Sequence, residues 1–526
     1  MRWIGCSREA RERAARPERL TAHLQLTLVA LAFGMAIAIP LGIAVTRRRS
    51  LEGGVLGVAS VIQTIPSLAL LAIMVPTLAT LAVWLEGVGI ELRSIGYPPA
   101  IVALSLYSIL PILRNTVAGI SGVDPALVEA ARGVGMTPRQ QLVRVELPLA
   151  LPVVVAGVRT AAVWVVGTAT LSTPVGATSL GNFIFSGLQT RNFMAVWVGC
   201  LAAAGLALLL DGLIAALESG VRRRSRSRVG AALVLVFALY AYVAFAFVAD
   251  ATRTGDRPVL IGSKTFTEQY ILSELVAGWV REETGRDSRA LESLGSTVAF
   301  DALRESQIDL YIDYSGTIWA TVMKRQGLPE SREAVLQEVG EWLAAEHGIT
   351  LVAALGFENT YALGMRADRA RELGVSRIGD LARVAANLEI GGDLEFFSRA
   401  EWKALETRYG LSFSKERSMD PGLMYQAVAN GEVDVISAFS TDGRIAAYDL
   451  VLLQDDLGVI PPYDAILLAS PRLAQEAPGV IDALRALEGM IDEPRMQGLN
   501  YSVDEDGEGP AAVAGKLLRE IRGSRE

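Results

Sequence analysis

Side chains suited to covalent or metal chemistry are scarce in this 526-residue chain: two histidines, His23 and His347, and two cysteines, Cys6 and Cys200, none of them grouped. No Ser/His/Asp or Cys/His nucleophile set can be built from them, and no GxxxxGK[ST] phosphate loop occurs. Zinc lacks its usual donors. The expectation is therefore no catalytic residue, no metal and no cofactor, which leaves binding and coupling as the chemistry to seek. The densest signal of that kind is Glu129 to Pro148, EAARGVGMTPRQQLVRVELP, polar and basic between two hydrophobic blocks. Glu129 to Arg132 can form a short amphipathic helix, and Gly133 or Gly135 permits a tight turn. Thr137-Pro138 then caps a second helix, since Thr accepts from free helix N–H groups and Pro suits the first helical position. The plainer alternative is an ordinary basic loop between membrane helices.

The surroundings of that stretch explain its position. With 51% hydrophobic residues and a mean hydropathy of +0.35, part of the chain must sit in lipid. Apolar runs extend over Leu24–Val45, Val55–Leu85, Pro99–Leu113, Leu149–Leu171, Met194–Leu217 and Gly230–Ala249. Each approaches the ~20 residues that cross a bilayer, the third only with its flanks, so about six crossings are expected. Pro66 and Pro76 interrupt the second run, either as a simple kink or beside a pathway. Arg47 to Arg49, Arg114, Arg132, Arg139, Arg144 and the run Arg222 to Arg228 all fall on one side if the chain alternates, which satisfies the positive-inside rule. The second half then lies outside. Arg8, Arg11, Arg13, Arg16 and Arg19 conflict with this scheme, because an even number of crossings places them outside as well. A formal charge of −8 and a pI near 5.3, with arginines beside apolar spans, exclude a nucleic-acid partner.

From Arg257 the composition becomes that of a soluble α/β domain. Strands are expected at Pro258–Gly262, Ile308–Ile312, Leu388–Ile390, Val433–Ile436 and Leu450–Leu453, with helices over Thr267–Glu282, Val298–Ser306 and after Glu401. Between the halves, Arg222–Arg228, the apolar Gly230–Val248 and Ala249-Asp250-Ala251 read as an uncleaved anchor, with an internal signal peptide as the alternative. The domain plan is a polar segment 1–20, a membrane domain 21–220, a tether with the last membrane helix 221–256 and an external domain 257–526. The external domain divides into one lobe of about 257–358 with 464–526 and a second of about 359–463.

Several motifs together resemble a known family. Glu129-Ala130-Ala131, Gly135, then Val145 before Leu147-Pro148 is similar to the EAA loop of ABC importer permeases. IQTIPSLALL (Ile62–Leu71), LYSILPILRNT (Leu106–Thr116) and VDPALVEAARGVGM (Val123–Met136) resemble the permeases of osmoprotectant systems. GSKTFTEQYIL (Gly262–Leu272), YIDYSGT (Tyr311–Thr317), FENTYAL (Phe357–Leu363), MDPGLMYQAV (Met419–Val428), VDVISAFSTDGRI (Val433–Ile445) and PPYDA (Pro461–Ala465) resemble their substrate-binding domains. The resemblance implies a multi-domain protein: an all-α polytopic permease of the type I ABC importer kind, followed by a two-lobed α/β domain like the periplasmic binding proteins.

It implies a transporter subunit of the cell membrane that is not an enzyme, recruits two copies of a separate ATPase through Glu129, Ala130, Ala131, Gly135, Leu147 and Pro148, and pairs with a second copy of itself. Membrane lipid is its solvent. The implied ligand is a small zwitterion or quaternary amine such as glycine betaine, carnitine or choline, held on aromatic faces because a cation without N–H donors offers nothing else to grip. Tyr314, Tyr361, Phe396, Phe439 and Tyr463 stand in the matching motifs, with Tyr361 and Tyr463 favoured for the cleft. Thr317, Asn359 and Thr441 are the neutral partners, and Arg399 is the fork for a carboxylate, against a salt bridge to Glu395 or Glu401. Choline-type relatives carry tyrosine where Phe439 stands and another near Ala334. Their lack here leaves ergothioneine open as the ligand. A membrane-anchored ligand sensor is the rival of another class, disfavoured because no signalling domain follows any span.

Overall fold

The computed structural model describes residues 3–86, 92–190, 192–223, 225–251, 257–325 and 331–523. The side chains of Cys6, Arg8, Arg11, Arg13, Arg16 and Glu395, and all of Arg224 and residues 252–256, lie outside this description. The chain forms two compact units, a helical one of Met1–Phe185 with Met194–Gly255 and a mainly α/β one of Ser186–Phe193 with Asp256–Glu526.

The helical unit contains α1 (Trp3–Arg47), α2 (Arg49–Thr64), α3 (Ser67–Glu86), α4 (Tyr97–Ser121), α5 (Pro125–Gly133), α6 (Pro138–Gln141), α7 (Leu147–Ala169), α8 (Gly181–Gln189), α9 (Phe193–Arg222) and α10 (Arg226–Ala251). Among the described residues, five spans are long and apolar enough to cross a membrane: Glu18–Arg47, Tyr97–Ser121, Pro138–Val175, Phe193–Arg222 and Arg226–Ala249. Ser50–Thr64 and Ser67–Ala82 meet at a 100° bend and make a sixth crossing if the pair is one span. The break falls at Pro66, which cannot donate a helical hydrogen bond, and the Tyr107 hydroxyl donates to the freed Ile65 carbonyl. Pro76 lies inside α3 without such a break.

Three helices form the centre of this unit. A Cβ added at Gly34 would fall 1.7 Å from Ser108 Oγ, and one at Gly157 2.5 Å from Asn115 Cβ, so α1, α4 and α7 approach through missing side chains. Two polar ties reinforce the contact. Arg47 at the end of α1 is paired with Glu146 just before α7. Near the opposite end of α7, buried His23 bonds the Val166 carbonyl through Nε2 (3.1 Å) and receives the Leu180 N–H at Nδ1 (3.3 Å).

The second unit has two five-stranded sheets. Strands β1 (Val259–Lys264), β2 (Ser288–Leu294), β3 (Leu310–Tyr314) and β4 (Thr350–Glu358) lie in the first; β5 (Tyr361–Arg366), β6 (Glu389–Gly392), β7 (Lys415–Ser418), β8 (Val435–Phe439) and β9 (Leu450–Leu452) form the second; β10 (Asp464–Ala469) returns to the first. Their orders are β2-β1-β3-β10-β4 and β7-β6-β8-β5-β9. In each sheet one strand entering from the other half runs antiparallel to its neighbours: β10 against β3 and β4, β5 against β8 and β9. Helices α11 (Thr267–Thr284), α12 (Ser296–Arg304) and α13 (Arg332–His347) belong to the first half. Buried Ile261, Leu275 and Leu467 of the first half and Leu363, Ile390 and Leu405 of the second belong to one continuous apolar core, each contributing on the order of 1.5–3 kcal/mol. The chain passes between halves at Asn359-Thr360 and again between β9 and β10.

Candidate functional site

Both crossings lead into a cluster of rings. Tyr361, the first residue of β5, has its ring 5.2 Å from Phe396, 5.0 Å from Phe439 and 5.9 Å from Tyr463, centroid to centroid. Phe439 is its register partner on β8, which fixes that pair through the sheet. From the first half, Phe266 lies parallel to Phe439 at 6.3 Å and stacks on Tyr314 at 6.2 Å. Phe396 is wholly buried. Its place is set by Asp393, whose Oδ1 accepts from the Phe396 N–H (2.8 Å) and caps the short helix Leu394–Ser398. Gly316 is required beside these rings, since a Cβ there would meet the Tyr463 ring at 2.9 Å.

Two carboxylates sit in this aromatic surrounding. Glu268, in the first turn of α11, accepts from the Tyr314 hydroxyl, Asn359 Nδ2 (3.0 Å), Thr441 Oγ1 (2.5 Å) and Asn500 Nδ2 (3.3 Å). Burial pushes its carboxyl above the usual range, and these hydrogen bonds oppose the rise. No ion pair reaches it among the described residues. Because Thr441 belongs to the second half, Glu268 joins the two halves directly. Gln497 Nε2 donating to the Ser440 carbonyl (2.8 Å) and Asn500 Nδ2 donating to the Thr441 carbonyl (2.8 Å) join them again.

The second carboxylate is Glu401. It accepts from the Tyr463 hydroxyl and lies 3.6 Å from Arg399 Nη1. That guanidinium also reaches Thr321 Oγ1 (3.3 Å) and Tyr463 Oη (3.4 Å), and stands 5.1 Å from the Tyr361 ring centroid. Arg399 and Glu401 are both buried, so the pairing with Glu401 is no surface salt bridge; Glu395 falls outside the described side chains. Of the residues singled out in the sequence, Tyr314, Asn359, Tyr361, Phe396, Arg399, Phe439, Thr441 and Tyr463 are brought into one connected cluster. Thr317 is buried at the start of the turn Thr317–Val322, and it is Thr321, one turn on, that meets Arg399. Phe266, Thr321 and Asn500 escaped sequence reasoning. Phe266 stood within a quoted motif, whereas Asn500 sits in a C-terminal helix with no motif at all.

In the helical unit, Asp124 caps α5 by accepting from the Ala126 N–H (2.9 Å). Gly135, not Gly133, takes the left-handed turn, with φ +80°. Thr137 and Gln140 form a reciprocal capping box (3.3 and 2.8 Å) at the start of α6. The second helix expected there is not separate: α6 runs through the wide turn Leu142–Glu146, where the Leu147 N–H donates to the Leu142 carbonyl, into α7. Glu129, Ala130, Gly135 and Pro148 are exposed, Leu147 is half-buried, and Ala131 packs inward. Leu127, Val134 and Val143 leave apolar surface on the same segment.

Comparison with known proteins follows this division. Residues 257–520 match the family described as the substrate binding domain of ABC-type glycine betaine transport systems, and residues 34–223 match the binding-protein-dependent transport system inner membrane component. The ergothioneine transport permease/ergothioneine binding protein of Helicobacter pylori (strain G27) is 29% identical over 89% of this chain and 83% of its own length. The choline transport system permease protein of Bacillus subtilis (strain 168) is 41% identical, covering 37% of this chain and 83% of its own. The carnitine transport binding protein of Listeria monocytogenes serotype 1/2a (strain 10403S) is 31% identical, covering 50% and 86%. Neither matched domain is an enzyme; the chain belongs to the ABC importers of the glycine betaine transport family, as an inner membrane permease fused to its substrate-binding domain.

Proposed function

We propose that the chain captures a small ligand bearing a methylated nitrogen outside the cell, closes two lobes on it, and delivers it through a permease of two such chains driven by two copies of a separate ATPase. The observation that carries this reading is the Tyr361 ring cluster, flanked by buried Glu268 on one side and Arg399 on the other. Ring faces hold a desolvated cation by about 2 kcal/mol, and a guanidinium fork holds a carboxylate. Tyr361 and Tyr463 are assigned to the methylated end, Arg399 and Asn359 to the carboxylate, with Tyr314, Thr317, Phe396, Phe439 and Thr441 completing the cleft. The lobes are taken to divide at 358/359 and 463/464. Glu129, Ala130, Ala131, Gly135, Leu147 and Pro148 are assigned to the ATPase contact, where exposed Leu127, Val134 and Val143 would be covered.

Orientation follows from the arginines. Counting the bent α2–α3 pair as one crossing, six spans and the positive-inside rule support a reading with Arg47, Arg132, Arg139, Arg144 and Arg222 inside and the binding domain outside. A second reading has support of its own: the ligand is ergothioneine. The Helicobacter pylori relative has both halves fused, as here, and Phe439 replaces a tyrosine expected of a choline cage. Uptake of labelled choline, carnitine, glycine betaine and ergothioneine by cells carrying this chain with its ATPase tests both. Uptake of one of these is expected. Uptake confined to sugars or unmodified amino acids would contradict both readings.

A further inference from the structure

The helical unit carries a charge cluster within its apolar spans. Arg159 of α7 donates through Nε and Nη2 to Asp211 Oδ1 and Oδ2 of α9, at 2.5 and 2.8 Å. Its Nη1 lies 3.6 Å from Glu218 Oε2, also on α9. Arg159 stands twelve residues past the start of α7, and Asp211 eleven before the end of α9, so each is about 17 Å from its helix end. Charges at that depth cost free energy unless paired, and one guanidinium needs only one carboxylate. Asp211 already satisfies it. A second acid, seven residues on and therefore two turns along the same face of α9, is left unexplained by charge balance alone.

The ties of α7 give the second acid a use. α7 is locked to α1 at both ends, by Glu146 with Arg47 and by Val166 with His23, and approaches α4 at Gly157. These contacts tie the three helices into one packed body, and α7 is continuous with the loop segment that starts at Pro138. Helix α9 joins them through a small apolar cluster, Leu206, Ala207 and Leu210 against Leu24, Leu28 and Val166, and through Arg159. We propose that Arg159, Asp211 and Glu218 form a two-station register between α7 and α9: the guanidinium exchanges its close partner from Asp211 to Glu218 as the loop drives α7 along α9. Both registers then keep the membrane-embedded charge paired, and because Nη1 already lies 3.6 Å from Glu218 the guanidinium can change its close partner without losing a carboxylate. The three are positioning residues for transport and do not touch the ligand.

The inference goes beyond the transport reading but takes the coupling loop as the point where force enters. Normal transport by Gly135 variants would remove that entry point while leaving the tests below unaffected, so the two failures are distinguishable. In proteoliposomes holding the full chain and its ATPase, Glu218→Gln leaves the Asp211 pair intact. It is expected to assemble and hydrolyse ATP, yet to import at least about tenfold less label per ATP, the probe being whichever of labelled glycine betaine, carnitine, choline and ergothioneine the parent imports. The exchanged pair Arg159→Asp with Asp211→Arg keeps one contact but has no second station; assembly should return without coupling. Import per ATP by Glu218→Gln close to the parent's overturns the proposal. So does coupling restored by the exchanged pair, or failure of Glu218→Gln to assemble, since either makes the cluster a structural tie only.

Discussion

At Tyr361, three rings and a guanidinium converge on one side chain, so its removal should be felt throughout the cleft. Tyr361→Ala is expected to weaken ligand binding at least about tenfold, or ~1.4 kcal/mol, by calorimetry. Arg399→Ala should harm a carboxylated ligand more than choline, and equal losses would remove Arg399 from the carboxylate end. Glu401 complicates the substitution, because without Arg399 its buried charge keeps only the Tyr463 hydroxyl. Asp504, besides Glu268, is a second carboxyl raised by burial and bears on pH behaviour. Asp504 accepts from Thr267 Oγ1 (2.6 Å), and burial pushes its carboxyl up to about 7, opposed by Arg444 and aided by Asp442. Because this folded value lies above the unfolded one, the contribution is present below about pH 4 and is lost as pH rises through about 7. The melting temperature of the binding domain should therefore fall from pH 5 to pH 8 by several degrees more in the parent than in Asp504→Asn. Parallel pH profiles would contradict the assignment. Tyr361 and Asn359 drew attention in the sequence because they stand in the FENTYAL motif, and the structure brings them into one cluster; the buried position of Glu401 and the reach of Asn500 were not legible, since both depend on which helix packs on which.

Elements were more legible than contacts. The alternation around Val259, Leu310 and Val435 located strands within a few residues, and Thr137-Pro138 located a helix start, because each signal is local. The 100° bend at Pro66 and the union of α6 with α7 were not readable, since a proline interrupts a helix without stating the angle or whether the chain goes on. The EAA loop makes an element-scale prediction. Gly135 holds φ +80°, a conformation costly for any side chain, although open space surrounds it. Gly135→Leu should therefore distort the turn between α5 and α6 rather than cause a clash. With Glu129→Lys, it should uncouple ATP hydrolysis from uptake while ligand binding persists. Unchanged uptake in both variants would show that the loop does not carry coupling.

For the molecule as a whole, the arginine distribution and the number of spans decide which side the binding domain occupies. Protease added to cells with a permeable outer envelope should release a fragment of the C-terminal half and spare the EAA loop. Protection of that half would invert the topology, since three spans separate it from the loop between α5 and α6 whether or not the bent α2–α3 pair crosses. Composition alone announced a lipid half and a water-soluble half, because apolar runs of this length have no other stable home. Ligand identity was not announced. A cluster of ring faces can hold any of several methylated nitrogens, so it does not choose among them.

Calorimetric titration of the binding domain, residues 257–526, with glycine betaine, carnitine, choline and ergothioneine, beside a sugar and unmodified amino acids, puts the ligand class to the test directly. Saturable binding of at least one methylated-nitrogen ligand, weakened at least about tenfold by Tyr361→Ala, is the expected result. Tight binding of the sugar or of an unmodified amino acid, with none of the four methylated compounds bound, would contradict it.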